Sequence, residues 1–199
     1  MIDVHFKISG PRVPFDCAYS LFAALCRHWP DLHERQDVGI WPLHGKFNAP
    51  ARDLMPTKLV IRVHETDLQQ CKDLCERVIN IEGVNLLIDH IAEIKPLFPA
   101  ETVYSRLIVV KNRTTSDLML EYLGEQLARM GIAGTPALVP RKGPLNGKDP
   151  FVRRTLNIKG FNVVGYAATV SGLSPTDSLR LQNEGIGGRR HFGCGLFVG

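Results

Sequence analysis

The 199-residue chain carries 24 basic and 20 acidic residues, a formal charge of +4, and is long enough for one large domain or two of roughly 100 residues each. Its longest apolar stretches, such as residues 163–170, fall well short of the roughly 18 to 20 residues needed to cross a bilayer. Residues 2–9 alternate apolar with polar side chains where a signal peptide would need an unbroken apolar core. Five cysteines without a CxxC pair argue against a disulfide framework or a four-cysteine zinc site, so a soluble, intracellular (cytoplasmic) protein with no membrane association is expected.

Ile2, Val4, Phe6 and Ile8 alternate with Asp3, His5 and Lys7, the period of a strand with one face on a core. Residues 16–28 then place Tyr19, Leu21, Phe22 and Leu25 at helical spacing, with Asp16 as cap and Pro30 opposing continuation. Strands are expected at 38–43 and 58–64, and a helix near 66–79 with Leu68, Cys71, Cys75 and Val78 on one side, its thiols buried. A strand at 84–94 closes the half. The pattern repeats: strand 104–111, helix 116–130, a hairpin of 153–158 and 162–170 turning at Lys159 and Gly160, helix 174–184, and a last strand at 194–198. Each half therefore reads βαββαβ, the ferredoxin-like unit, and the expected fold is α+β with tandem ferredoxin-like domains. Residues 1–97 form the expected first domain and 98–199 the second, joined through the Pro96 and Pro99 stretch.

Charge divides unevenly between the halves. Residues 1–100 hold 11 basic and 13 acidic side chains and residues 101–199 hold 13 and 7, so the second half is the expected anion-binding half. It also contains the strongest local motif. Residues 185–195 include five glycines (Gly185, Gly187, Gly188, Gly193, Gly195) and the adjacent Arg189 and Arg190. Glycine tolerates positive φ and close backbone approach, so consecutive N–H groups can converge on a phosphate while the arginines supply charge. The spacing fits neither a P-loop nor a dinucleotide fingerprint, which must follow a strand and open a helix. A second basic segment, Arg141, Lys142 and Lys148 followed by Arg153 and Arg154, reads as a loop feeding a hairpin, a composition that can grip RNA backbone.

Of seven histidines, His5 and His64 fall on outward registers, His90 shares a register with Ile88 and Ala92 and is expected to be mostly buried, and His191 lies within the glycine-rich segment. His28, His33 and His44 remain, between the first helix and the third strand, where an imidazole near its ordinary pKa of about 6.5 can take and give a proton. Each can equally be a surface side chain without a role. A zinc site from the three is disfavoured, since no HxxxH lies on a helix face. Neither a serine elbow nor a carboxylate pair is signalled. Histidine, lysine and arginine without metal suit RNA cleavage by its own 2′-hydroxyl.

The run SLRLQNEGIGGRRHFGCGLFVG at the carboxy terminus resembles the terminal signature of the CRISPR repeat-RNA endoribonucleases, the Cas6 family of the RAMP superfamily. DCAYSLFAAL, LHERQDVGIWPLHG and VVGYAATVSGLSPTDSLRLQ are similar to a small type I subfamily of about this length. The resemblance implies tandem ferredoxin-like, RRM-like domains and recognition of a repeat stem-loop. It further implies metal-independent, cofactor-free cleavage at the 3′ base, leaving a 2′,3′-cyclic phosphate and a 5′-hydroxyl. It implies partners too: the processed guide RNA, and other subunits of a type I (Cascade-like) effector or a guide-directed transposition complex. Among the histidines, His33 best matches the subfamily's catalytic position, His28 is close to that of another branch, and His44 occupies a position expected to vary. Gly187, Gly188, Arg189, Arg190 and His191 are the implied loop contacts to RNA, with Arg141, Lys142, Arg153, Arg154 and Lys159 touching the stem. The rival expectation is a non-catalytic RNA-binding subunit of a CRISPR ribonucleoprotein.

Overall fold

The computed structural model describes residues 1–143, 145 and 149–199; Lys148 of the basic loop lies outside the described residues. The chain divides into two compact units. The first holds Met1–Pro96 with Asn157–Gly160 and Arg190–Gly193, and the second holds Leu97–Leu156, Phe161–Arg189 and Cys194–Gly199. No helix among the described residues is long and apolar enough to cross a membrane.

The first unit runs β1 (Ile2–Ser9), β2 (Val13–Pro14), α1 (Ala18–Cys26), β3 (Gly39–Ile40), β4 (His44–Asn48), β5 (Asp53–Val63), α2 (Leu68–Asp73), β6 (Val78–Ile81) and β7 (Val84–Pro96). β1 lies between β5 and β7, antiparallel to both; β6 extends the sheet beyond β7, and β2, β3 and β4 pair with β5. Ile2, Val4, Phe6 and Ile8 point into one core with Leu21 and Leu25 of α1, as their alternation requires. Asp16 does not cap α1. Its carboxylate instead accepts from the Asn157 N–H at 3.0 Å, and Cys17 holds the cap position without a side-chain bond.

Three expectations change here. The helix placed at 66–79 ends at Asp73, because Glu76 turns to φ +62 and donates its N–H to Ile88 O at 2.7 Å, after which Val78–Ile81 pairs with β7 as a strand. The strand placed at 58–64 begins at Asp53, where β4, an element the alternation does not reveal, pairs alongside it. His90 is exposed, because a bulge makes Lys7 pair with His90 while Ile8 pairs with Ile88, so Asp89 is skipped and the register turns over.

The second unit runs β8 (Val103–Ile108), α3 (Ser116–Arg129), β9 (Thr135–Leu138), β10 (Arg153–Ile158), β11 (Phe161–Ser171), α4 (Pro175–Glu184) and β12 (Phe197–Val198); the tip of the β10–β11 hairpin belongs to the first unit. The strand order is β10-β11-β8-β12, with β9 also on β11. Thr115 caps α3 by accepting the Leu118 N–H, and Ser174 caps α4 by accepting the Asp177 N–H at 3.1 Å. Met119, Leu123 and Leu127 of α3 and Leu181 of α4 fill one core with Tyr166, Ala168 and Val170. Both halves thus have two helices on one face of an antiparallel sheet, the tandem ferredoxin-like arrangement.

Candidate nucleic-acid interface

The glycine-rich segment adopts left-handed backbone repeatedly, at Gly185, Gly187, Arg189, Gly193 and Gly195. Ile186, Gly193, Cys194 and Gly195 spend their N–H groups on protein carbonyls. Among the described residues, those of Gly187, Gly188 and Arg189 donate to no protein carbonyl, and all three residues are exposed. They line an open cleft of about 500 Å³ within the second unit, together with Lys111, Asn112, Thr114, Tyr122 and Asn162. Amide donors, two cations, two carboxamides and an aromatic ring around one cleft can hold a phosphate and an adjoining base. Lys111, Asn112, Tyr122 and Asn162 were missed from the sequence; the only local signal was the basic turn Lys111, Asn112, Arg113 directly after a strand.

Arg190 is placed differently from its neighbour. Its side chain is buried within the first unit, and its Nε donates to Asp37 O at 3.3 Å. Burial, then the field of Arg62, pulls its pKa down to about 10. His191 is half-buried, stacked on Phe22 at 4.5 Å and 12°, and burial lowers its pKa while a bond to the Arg35 backbone raises it. Arg190 and His191 therefore pack among the first unit's own residues. The anchor is itself braced: the Arg35 guanidinium forks onto Asp37 (2.9 and 2.7 Å) and onto Asp67 (2.9 and 2.7 Å). The hydrogen bonds from Arg35 hold the Asp37 carboxyl down at about 2.

The three candidate histidines are all exposed, and each has a different neighbour. His33 closes a short 3-10 turn, Pro30–His33, and its Nδ1–H donates to Pro30 O at 2.9 Å, which leaves Nε2 as the unprotonated nitrogen of the neutral ring; the Glu34 carboxylate lies 3.7 Å from that nitrogen. This is a tautomer-fixed imidazole with its basic atom towards solvent. His28 donates Nε2–H to Val78 O at 3.2 Å, so its remaining lone pair is on Nδ1. His44 opens β4 opposite Lys58.

The basic residues of the second half also separate by surroundings. Lys142 and Arg153 are exposed, whereas Arg141 braces the base of its own loop, its Nε donating to Asp149 O at 3.1 Å. Arg154 is half-buried, its Nε buried without a protein acceptor among the described residues. Lys159, at the hairpin tip within the first unit, lies 5.4 Å above the Tyr19 ring, a cation–π contact.

A family model described as Cas6 Crispr matches residues 2–199 of the chain. The CRISPR-associated endonuclease Cas6 of Myxococcus xanthus (strain DK1622) is 34% identical over 202 residues, covering 99% of this chain and 80% of that one. Among solved structures, a RAMP protein binding different RNA substrates superposes with a TM-score of 0.68 at 11% identity, over 100% of this chain and 99% of that one. The CRISPR endoribonuclease Cse3 bound to a 19-nucleotide RNA superposes with a TM-score of 0.55 at 14% identity, over 100% and 98% of the two chains. The two structural likenesses speak to the tandem ferredoxin-like fold.

Proposed function

Since the chain belongs to the Cas6 family, we propose that it is an endoribonuclease that processes CRISPR repeat RNA, binding the repeat stem-loop and cutting at its 3′ base without metal. The observation that carries this reading is the exposed Gly187–Gly188–Arg189 cleft together with the tautomer-fixed His33. In the cut, the ribose 2′-oxygen attacks the adjacent phosphorus, the bond from phosphorus to the 5′-oxygen breaks, and the products are a 2′,3′-cyclic phosphate and a 5′-hydroxyl. His33 Nε2 is suited to take the 2′-hydroxyl proton or, when protonated, to give one to the leaving 5′-oxygen. Positioned acid-base catalysis of this kind contributes roughly 10²- to 10⁴-fold. The cations of the second half, Lys142, Arg153 and Arg189 foremost, balance phosphate charge along the stem. On the same reading the protein works in the cytoplasm, its two domains span 1–97 and 98–199, and it stays on the processed guide as a subunit of an effector or transposition complex.

The test is single-turnover cleavage of repeat hairpins in chelator, with product ends sequenced. His33→Ala should bind RNA as the parent does and cut about 10²- to 10⁴-fold more slowly. Parental cutting by that variant would remove His33 and turn attention to His28 and His44. No cutting by the parent protein, with binding intact, would favour the non-catalytic subunit.

A further inference from the structure

The Tyr166 ring of β11 lies in the core of the second unit and is only 1% exposed. Its hydroxyl donates to Asp149 Oδ2 at 2.6 Å and lies 3.2 Å from the Thr114 carbonyl oxygen. Those two neighbours belong to different parts of the unit. Thr114 lines the cleft with Gly187, Gly188, Arg189 and Lys111, whereas Asp149 stands at the base of the basic loop that carries the exposed Lys142.

The base of that loop is built around Asp149. Its Oδ1 accepts the Phe151 N–H at 3.0 Å and its carbonyl accepts Arg141 Nε at 3.1 Å, while the Arg141 N–H donates to Pro150 O at 2.7 Å. The stems then join β11: the Val139 N–H donates to Ala167 O and the Ala167 N–H to Val152 O, each at 3.0 Å. A carboxylate accepting an O–H makes a short, charge-assisted bond, roughly twice as strong as a neutral one. Burial first, and then Asp149, push the Tyr166 pKa up to about 12, so the hydroxyl keeps its proton at neutral pH. Packing needs only the ring, and the hydroxyl adds a tie between loop and cleft.

We propose that Tyr166 is a positioning residue for RNA: its hydroxyl holds the Asp149 base of the basic loop beside Thr114 of the cleft, so that Lys142 and the Gly187–Arg189 amides meet one repeat stem at a fixed spacing. The ligand rests on the RNA-processing reading above; the tie itself does not. Tyr166 touches no RNA here and acts through Lys142.

Tyr166→Phe removes no charge, so it has no direct effect on counterion release. Its binding to a fluorescein-labelled repeat hairpin, read by anisotropy at several salt concentrations, should still weaken about fivefold, with a salt slope shallower by up to about 0.9, one duplex phosphate contact. Single-turnover cutting at saturating protein should keep the parent's rate, the split expected when only binding is disturbed. Lys142→Ala should weaken binding at least as much, and Tyr166→Phe added to it should weaken binding no further. Additive losses, or parental affinity and slope in a folded Tyr166→Phe, would overturn the proposal. Should Tyr166→Phe melt early, Asp149→Ala decides: it loses a negative charge, which by itself favours RNA, and should nonetheless bind more weakly. Tighter binding by that variant would overturn the proposal too. A parent that binds no repeat hairpin would retire this proposal together with the processing reading, whereas one that binds through Lys142 and Tyr166 but cuts nothing would retire the processing reading alone.

Discussion

Gly185–Arg189 and Arg190–Gly193 are consecutive lengths of one glycine-rich segment, with an arginine at each side of the join. The first length keeps its last three residues exposed, with amide donors turned to no protein carbonyl and the side chains of Lys111 and Asn162 around the same cleft. The second packs against Asp37, Phe22 and Pro42 of the first unit, and burial lowers the pKa of its arginine to about 10, which leaves it charged at neutral pH. Adjacent arginines in a glycine-rich motif thus have different surroundings: Arg189 is exposed at the cleft of the second unit, and Arg190 is buried within the first.

The largest effect expected from breaking this division comes from the anchor. Arg35→Ala strands the Asp67 carboxylate, whose side chain is only 8% exposed, and releases Asp37. A loss of about 2–3 kcal/mol of stability should follow, the usual scale for charge-assisted hydrogen bonds, read by chemical denaturation. A loss below 1 kcal/mol would show the anchor to be incidental.

A glycine pair sharpens the contrast at the next scale. Gly193 has φ +74, and a Cβ there would stand 2.6 Å from Pro42 Cδ, so Gly193→Ala should cost about 1–3 kcal/mol. Gly188 has open space within 4 Å, so Gly188→Ala should leave the melting temperature unchanged and act, if at all, on RNA affinity. Equal melting temperatures for the two variants would erase the distinction between the lengths. Arg189→Ala should likewise be neutral for stability, within about 0.5 kcal/mol, while making the salt dependence of repeat-duplex binding shallower by about 0.9. Arg190→Ala should lower stability first.

The smallest effect is that of pH. Folding holds His191 below its ordinary pKa, chiefly through burial, so the unfolded chain binds this proton more readily than the folded one. Stability should therefore be level above about pH 6.5 and decline as pH falls below it. Asp37 shifts the same way from a lower reference: its contribution is full above about pH 4 and is lost as pH falls towards 2. His191→Phe, which keeps a ring for Phe22, should flatten the upper decline in a comparison of denaturation midpoints at pH 8 and 5.5; an unchanged decline would assign it elsewhere.

The sequence by itself determined what local periodicity encodes. The alternation in β1, the helical spacing in α1 and the hairpin turn at Lys159–Gly160 are written in neighbouring residues, and from the order of such elements came the doubled ferredoxin-like fold. The residues of the glycine-rich segment were legible for the same reason. Tertiary structure alone decided the rest, because it depends on partners distant in the chain. Pairing with β7 converted the end of the second expected helix into β6, and one skipped residue, Asp89, turned His90 outward. Arg190, 153 positions from Asp37, is buried with its Nε on the Asp37 carbonyl, a partner that its neighbours in the sequence do not announce. Burial and cross-strand register are properties of the assembled sheet, and no window of sequence contains them.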